Sequence, residues 1–343
     1  MPSIARLAQP ADLDALVRVG EIADPRVYTL PRSRAAVQAA IEHSAESAQR
    51  SVDVPADEHY LVVLEDTAGA LAGAAAIRAT AGSQGAFFCF RNDVIHHASH
   101  DLKISNNVHV LSLSSDLTGH TQLLSFFVDP AAAGRADAAL LSQSRLALAA
   151  VDRHRFGQQF FASLAGWCDE HLASPFWDAL GRRFFGMDFI AAERAVAGAR
   201  NRTLIVELMP HYPVYVPLLP AAAQATIGQL HDEAHLAYDI LSGEGFEAEN
   251  YVDLFDGGPI LEAHASKLRI LAQSQLLAAQ ALTTADAPLA RPALVARSGA
   301  CADFRCVHAP ASVHVDDGIA LLPPGAFAAL RIAPGERVLV APL

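Results

Sequence analysis

The sequence predicts a mixed α/β (α+β) protein: a mixed sheet flanked by helices, ending in a small β-rich module. Three observations carry this reading. The chain opens as strand, two helices and hairpin. Leu123–Val128 is a continuous apolar run of strand length, consistent with a buried central strand, and a small-residue loop and a helix follow it. Beyond Ala302 the pattern is short strands separated by turns at Pro324-Gly325 and Pro334-Gly335.

Taken in order, Ser3–Ala8 alternates as a strand. Pro10-Ala-Asp-Leu-Asp starts a helix, with an Asp where the helix dipole favours it, and Leu13, Leu16 and Val17 recur at helical spacing. A loop over 23–31 leads to a second helix, Arg34 to about Arg50. Tyr60–Glu65 and Leu71–Ala79 are strands around an Asp66-Thr-Ala-Gly69 turn. Phe87–Gly119 looks like an insertion rich in His, Ser and Asn. Ala138–Val151 is a helix and Gln159–Leu164 a strand. Ser174-Pro175 opens another helix, with Ser at the N-cap and Pro at the first position. A helix-like run carries His231 and ends at Gly245-Phe246. A strand follows around Tyr251–Phe255, then a helix over about Leu261–Ala279, an Ala/Pro-rich connector over Thr283–Arg297, and the terminal module.

Composition bounds the function. The chain has 343 residues, of which 52% are hydrophobic, enough to bury a substantial core of two to three units. The net charge of −12 and the lack of a Lys/Arg cluster argue against nucleic acid as a partner, and an acidic protein suits a cationic substrate. Cys89, Cys168, Cys301 and Cys306 have no zinc-type spacing and read as reduced structural thiols. No basic-then-apolar leader and no membrane-length apolar run is found, so the expectation is a cytoplasmic protein without membrane contact.

A short helix ending at Gly-Phe and turning into a strand, after the opening described above, is similar to the acyl-CoA N-acyltransferase (GNAT-like) fold. Chemistry of that kind needs a neutral amine, hydrogen bonds to the thioester oxygen, a proton for the departing thiolate, and N–H groups at a helix N-terminus for a pyrophosphate. Backbone groups of Phe126, Phe127 and Val128 are placed to grip a thioester arm. The loop containing Gly134, Arg135 and Ala136 is placed to cradle the pyrophosphate. At the three signature positions of such loops this chain has Ala133, Ala136 and Ala138, of which the last alone fits. His231 is the acid/base candidate, because imidazole titrates nearest neutral pH. Asp169, Glu170, Asp253 and Asp256 offer carboxylates for a guanidinium or ammonium; the alternative for each is a cap or a turn. His96, His97, His100 and His235 lack the carboxylate arrangement of a zinc helix, and no metal is expected.

Several segments in order carry a more specific resemblance: His97-Ala-Ser99, Asp116-Leu-Thr-Gly119, Ser174-Pro-Phe-Trp177, Gly181-Arg-Arg-Phe-Phe185, Glu207-Leu-Met-Pro-His-Tyr-Pro213, Gly228-Gln-Leu-His231 and Tyr251-Val-Asp-Leu-Phe-Asp-Gly-Gly-Pro259. The chain resembles the arginine N-succinyltransferase family. Through Phe90-Arg-Asn92, His109-Val-Leu-Ser-Leu113 and Tyr212-Pro-Val-Tyr-Val-Pro-Leu-Leu-Pro220 it is most similar to the alpha subunit of the arginine/ornithine succinyltransferase. The resemblance implies succinyl-CoA as co-substrate with no tightly bound cofactor, and L-arginine or L-ornithine as acceptor. It also implies a homologous beta subunit or a homo-oligomer as partner. It puts the proton donor at His231 and a succinyl-CoA contact at Phe126. It also maps an acceptor loop onto Arg26-Val-Tyr-Thr-Leu-Pro31, where Arg26 and Tyr28 replace smaller residues. The expected division is 1–200, an N-acyltransferase-like domain; 201–282, a second acyltransferase-like segment completing the site; and 283–343, the connector and β-rich module. Two alternatives stand beside catalysis by this chain: a weak structural or regulatory alpha subunit that needs a beta subunit, and an acyltransferase with another donor or amine.

Overall fold

A computed structural model of the chain describes residues 2–23, 29–83, 85–196 (for 193–196 the backbone alone), 207–283 and 286–343. Arg26 and Tyr28 therefore lie outside the described residues. Among the described residues fifteen strands join in one hydrogen-bonded array. In its centre β1 (Ile4–Leu7), β2 (His59–Glu65), β3 (Leu71–Arg78) and β6 (Thr121–Val128) pair antiparallel, and β7 (Gln159–Ser163) joins β6 in parallel. Side chains alternate across the sheet. Leu61, Val63, Ala74 and Ala76 pack against α1 (Leu13–Ala23) and α2 (Arg34–Gln49). Val62, Leu64, Ala75 and Ile77 pack against α3 (Arg135–Val151) on the other face. The opening, the central strand and the helix after it thus agree with the sequence pattern.

Three stretches differ from the pattern. Phe87–Gly119 is a long hairpin, β4 (Cys89–Ser99) and β5 (Ile104–Ser114), paired from Cys89–Ser114 to Ser99–Ile104. Its base buries Phe90 and Leu111, while its outer half is largely solvated, Val94 and Ile104 included, which hides the strand period. His96 there bonds Asn107 and Ser105. The expected helix over Leu261–Ala279 is instead strand β10 (Pro259–His264), a short helix (Arg269–Gln273) and strand β11 (Gln275–Ala281). Ala and Leu favour helix in isolation, but pairing of β10 with β7 and of β11 with its neighbours outweighs that preference. The connector contains strand β12 (Arg291–Arg297).

At the C-terminus β11, β12, β13 (Arg305–His314), β14 (Ile319–Leu322) and β15 (Arg337–Pro342) pair in the cyclic order β12-β15-β11-β14-β13, and β13 returns to β12. This is a closed five-stranded barrel. Leu277, Val295, Val307, Leu322, Leu330 and Val340 fill it. Barrel and central sheet share β13, whose Cys306 pairs with both Ala5 and Ala296. A buried polar chain adds a second tie. His308 Nε2 donates to Gln143 Oε1 at 2.8 Å, Gln143 Nε2 donates to Glu244 Oε1 at 2.8 Å, and Arg269 closes on Glu244. Burial pushes the His308 pKa down to about 4, so this ring is neutral at physiological pH. No helix among the described residues is long and apolar enough to cross a membrane.

Candidate active site

The site begins with an interruption in β6. Ala74 of β3 faces Phe127 and Ala76 faces Leu124, so Ser125 and Phe126 together oppose Ala75. This is a β-bulge. Ser125 takes φ +54°, a strained value for a non-glycine residue in a strand. Thr29 holds it there: Ser125 N donates to Thr29 Oγ1 at 2.9 Å, and Ser125 Oγ donates to the Thr29 carbonyl at 2.8 Å. The bulge bends β6 away from β7. The two parallel strands pair only at Thr121–Phe160, Gln122–Phe161 and Leu123–Ala162. Beyond Leu123 the β6 edge toward β7 has no strand partner among the described residues, and a cavity of about 410 Å³ opens there, a volume suited to a small-molecule site.

The cavity is lined by Phe126, Phe127 and Val128, by His231, and by Asp253 and Asp256. Six of the sequence candidates thus converge on one space. His231 does not ride on a helix, as the sequence pattern suggested. It caps the short turn Asp232–Ala234 that precedes α8 (His235–Glu244; helices numbered along the described chain). Its backbone N–H donates to Ala165 O at 2.9 Å, and its Nδ1 accepts the Glu233 N–H at 3.3 Å. With Nδ1 an acceptor, a neutral ring carries its proton on Nε2.

Asp256 fastens this arrangement together. One carboxylate oxygen accepts Gly166 N–H at 2.7 Å, the other accepts Gly258 N–H at 2.8 Å, and Gly257 O accepts Gly228 N–H at 2.8 Å. The Gly228–His231 segment, the end of β7 and the Asp-Gly-Gly-Pro loop are thereby interlocked. The close approach explains the glycines. A Cβ on Gly166 would sit 2.6 Å from Gly258 N, and one on Gly258 would press on Leu164 O. Burial raises the Asp256 pKa to about 7; the nearby Asp253 carboxylate adds to the rise, and the two N–H bonds oppose it. Burial raises Asp253 as well, although it accepts the Phe255 N–H at 2.8 Å.

The remaining candidates lie outside the cavity lining. Asp169 Oδ1 accepts the N–H groups of His171 and Ala173 in a turn, and Glu170 is exposed beside His171. Gly134 is the N-cap of α3, with its N–H on Asp137 Oδ2 at 3.1 Å. Arg135 pairs with Asp239 of α8 at 3.0 Å, at the surface. Ala136 is in the first turn of α3, where backbone N–H groups face an incoming anion.

Sequence reasoning passed over a buried charge in the cavity lining. Arg145 of α3 is 2% exposed and is the single charge between Ala138 and Val151. A lone charge in an apolar helix was the available signal. Burial pushes its pKa down to about 9, so it remains a cation at neutral pH.

The family profile described as arginine N-succinyltransferase beta subunit matches residues 3–270. The chain is 43% identical over 306 residues to the arginine N-succinyltransferase subunit alpha of Pseudomonas aeruginosa, covering 89% of each. It is 35% identical over 340 residues to subunit beta of the same organism, covering 99% of this chain and 98% of that one. Its fold is similar to the solved structure of arginine/ornithine succinyltransferase subunit AI from Pseudomonas aeruginosa, with a TM-score of 0.87, 38% identity, and coverage of 99% of this chain and 98% of that one. On the extent of these matches, the chain belongs to the arginine N-succinyltransferase family.

Proposed function

We propose that this chain is an acyltransferase that moves succinyl from succinyl-CoA to the α-amine of arginine, with ornithine as a second acceptor, in cytoplasmic arginine catabolism. The observation that carries the reading is the placement of His231 in the same cavity as the unpaired edge of β6. A strand edge left open by a bulge offers peptide groups to a thioester arm, in the manner of a GNAT-like fold. Residues 1–200 would supply that acyltransferase-like unit and 201–282 would complete the cleft. Residues 283–343 would form the β-rich module, with β11 added to it.

In this mechanism the neutral amine attacks the thioester carbonyl directly, and no covalent enzyme intermediate forms. The C–N bond forms and the C–S bond breaks. His231 Nε2–H delivers a proton to the sulfur as it leaves, and the ring recovers one from the attacking nitrogen, so protons balance. Asp253 and Asp256 give the cavity an acidic wall that suits a cationic acceptor. His231→Ala is expected to lower kcat by roughly 10² to 10⁴ with the circular dichroism spectrum unchanged. Wild-type turnover in that variant would remove the imidazole from the mechanism.

A specific observation favours a second reading, in which the chain is an alpha subunit dependent on a homologous beta subunit. The α3 N-terminus lacks the glycine-rich approach of a pyrophosphate loop, and the Asp137 carboxylate already occupies the Gly134 N–H. Titration with succinyl-CoA, of the chain alone and then with a beta subunit, separates the readings. Tight binding by the isolated chain excludes dependence, and binding restored only by the partner supports it.

A further inference from the structure

The Arg145 guanidinium lies inside the protein with no carboxylate partner among the described residues. Its Nε donates to Ser142 O at 3.1 Å, Nη2 to Ser142 Oγ at 2.7 Å, and Nη1 to Leu124 O at 3.5 Å. The Phe126 ring centroid is 5.4 Å from its central carbon, a cation–π distance that holds the plane in place. Two other buried arginines are neutralised: Arg6 pairs with Asp12 and Glu65, and Arg155 pairs with Asp152. Arg305 has no such pair among the described residues, but it does not line this cavity. An uncompensated buried cation is costly unless a ligand supplies the counter-charge.

A guanidinium carries five N–H groups, two on each terminal nitrogen. One on each of Nη1 and Nη2 is spoken for, which leaves a second on each. These form the fork that matches a carboxylate. An independent observation falls on the same cavity. Ser163 Oγ, at the end of β7, is buried without a hydrogen-bond partner among the described residues and also lines it. The acidic groups of the lining, Asp253 and Asp256, come from the loop before β10, a different element. The cavity therefore presents a cationic wall from α3 and an acidic wall from that loop.

We propose that Arg145 and Ser163 form the subsite for a free carboxylate at the far end of the transferred acyl chain, and so select a dicarboxylic acyl donor over a neutral one. The proposal rests on the acyl-transfer reading above and adds the residues that choose the donor. Phe126 then acts twice, with its backbone toward the thioester arm and its ring against the guanidinium.

The test is calorimetric titration of the full-length chain with succinyl-CoA and with butyryl-CoA, which has the same chain length without the terminal charge. The wild type should prefer succinyl-CoA by about 10²-fold, because a site built for a polar group is left unpaired by the analogue lacking it. In Arg145→Met the preference should fall to within about threefold of unity. Arg145→Lys should restore part of it, since an ammonium keeps the charge but loses the fork. Ser163→Ala, a change small enough to keep the fold if Arg145→Met does not, should reduce the preference by about three- to tenfold through loss of one hydrogen bond to a charged group. An undiminished preference in Arg145→Met or in Ser163→Ala overturns the subsite. Equal wild-type binding of the two thioesters also overturns it and leaves acyl transfer intact. Binding of neither thioester, by the chain alone and again with a beta subunit present, overturns the acyl-transfer reading itself.

Discussion

The C-terminal barrel and the β6–β7 region are built from similar aliphatic strands, yet one is closed and filled and the other is split. In the barrel each of the five strands has a neighbour on both sides, and side chains such as Val295, Val307 and Val340 occupy the interior. Between β6 and β7 pairing stops after Leu123–Ala162, because the bulge at Ser125 turns β6 aside. The difference teaches where a binding space comes from in a sheet protein. Complete pairing yields stability and no room. One strained residue, held by Thr29, gives up ladder bonds and opens a cavity. The polar groups follow the same division. The barrel core is aliphatic, whereas the cleft walls hold Arg145, Ser163, His231, Asp253 and Asp256.

The sharpest way to break the comparison is a pair of core substitutions. Gly258→Ala forces a Cβ onto Leu164 O and within 2.5 Å of Gly166 N, at the buckle behind His231. It should cost roughly 4 kcal/mol of stability by overpacking backbone against backbone, and it should lower kcat as well. Leu330→Ala in the barrel leaves a void at a fully buried site and should cost roughly 3 kcal/mol. Its kcat and KM should stay at wild-type values. Urea unfolding with steady-state kinetics checks both. Unchanged kcat in Gly258→Ala, or a large kinetic defect in Leu330→Ala, would erase the distinction between the two regions.

A smaller effect should appear in the pH dependence of stability. Asp256 is raised from 3.8 to about 7 in the folded chain, and Asp253 is raised with it. Between those pH values the folded protein holds more protons than the unfolded one. The pair's contribution is therefore fully present below pH 3.8 and is lost as pH rises toward about 7. The slope from one such proton is at most about 1.4 kcal/mol per pH unit. Asp256→Asn also loses an acceptor for a backbone N–H, so its absolute stability should be lower. The informative quantity is its slope over that window, which should be flatter than in the wild type. Identical slopes would show that the pair does not titrate there.

Local sequence was a good guide wherever period, cap and burial agreed. The strand period of Tyr60–Glu65, the Ser174-Pro175 helix start and the apolar run at Leu123–Val128 all belong to elements whose near neighbours decide them. It misled over Leu261–Ala279, where helix-favouring residues lie in strands, and over Phe87–Gly119, where a solvated hairpin loses its apolar alternation. Among the site candidates, the chemistry of His231 and the turn-forming character of Asp256-Gly-Gly could be read directly from residue type. What they touch could not.

Residue identity by itself determined the family and the central strand, and it marked the imidazole as the acid/base candidate, because each is written in contiguous motifs. Only the tertiary structure decided that Arg145, Ser163, His231 and Asp256 meet. They are brought in by α3, β7, a capped turn and a distant loop, and separations of that length carry no period for a sequence to display. It also decided which charges are neutralised inside the protein. That depends on which carboxylates reach a guanidinium in space, and none among the described residues reaches Arg145.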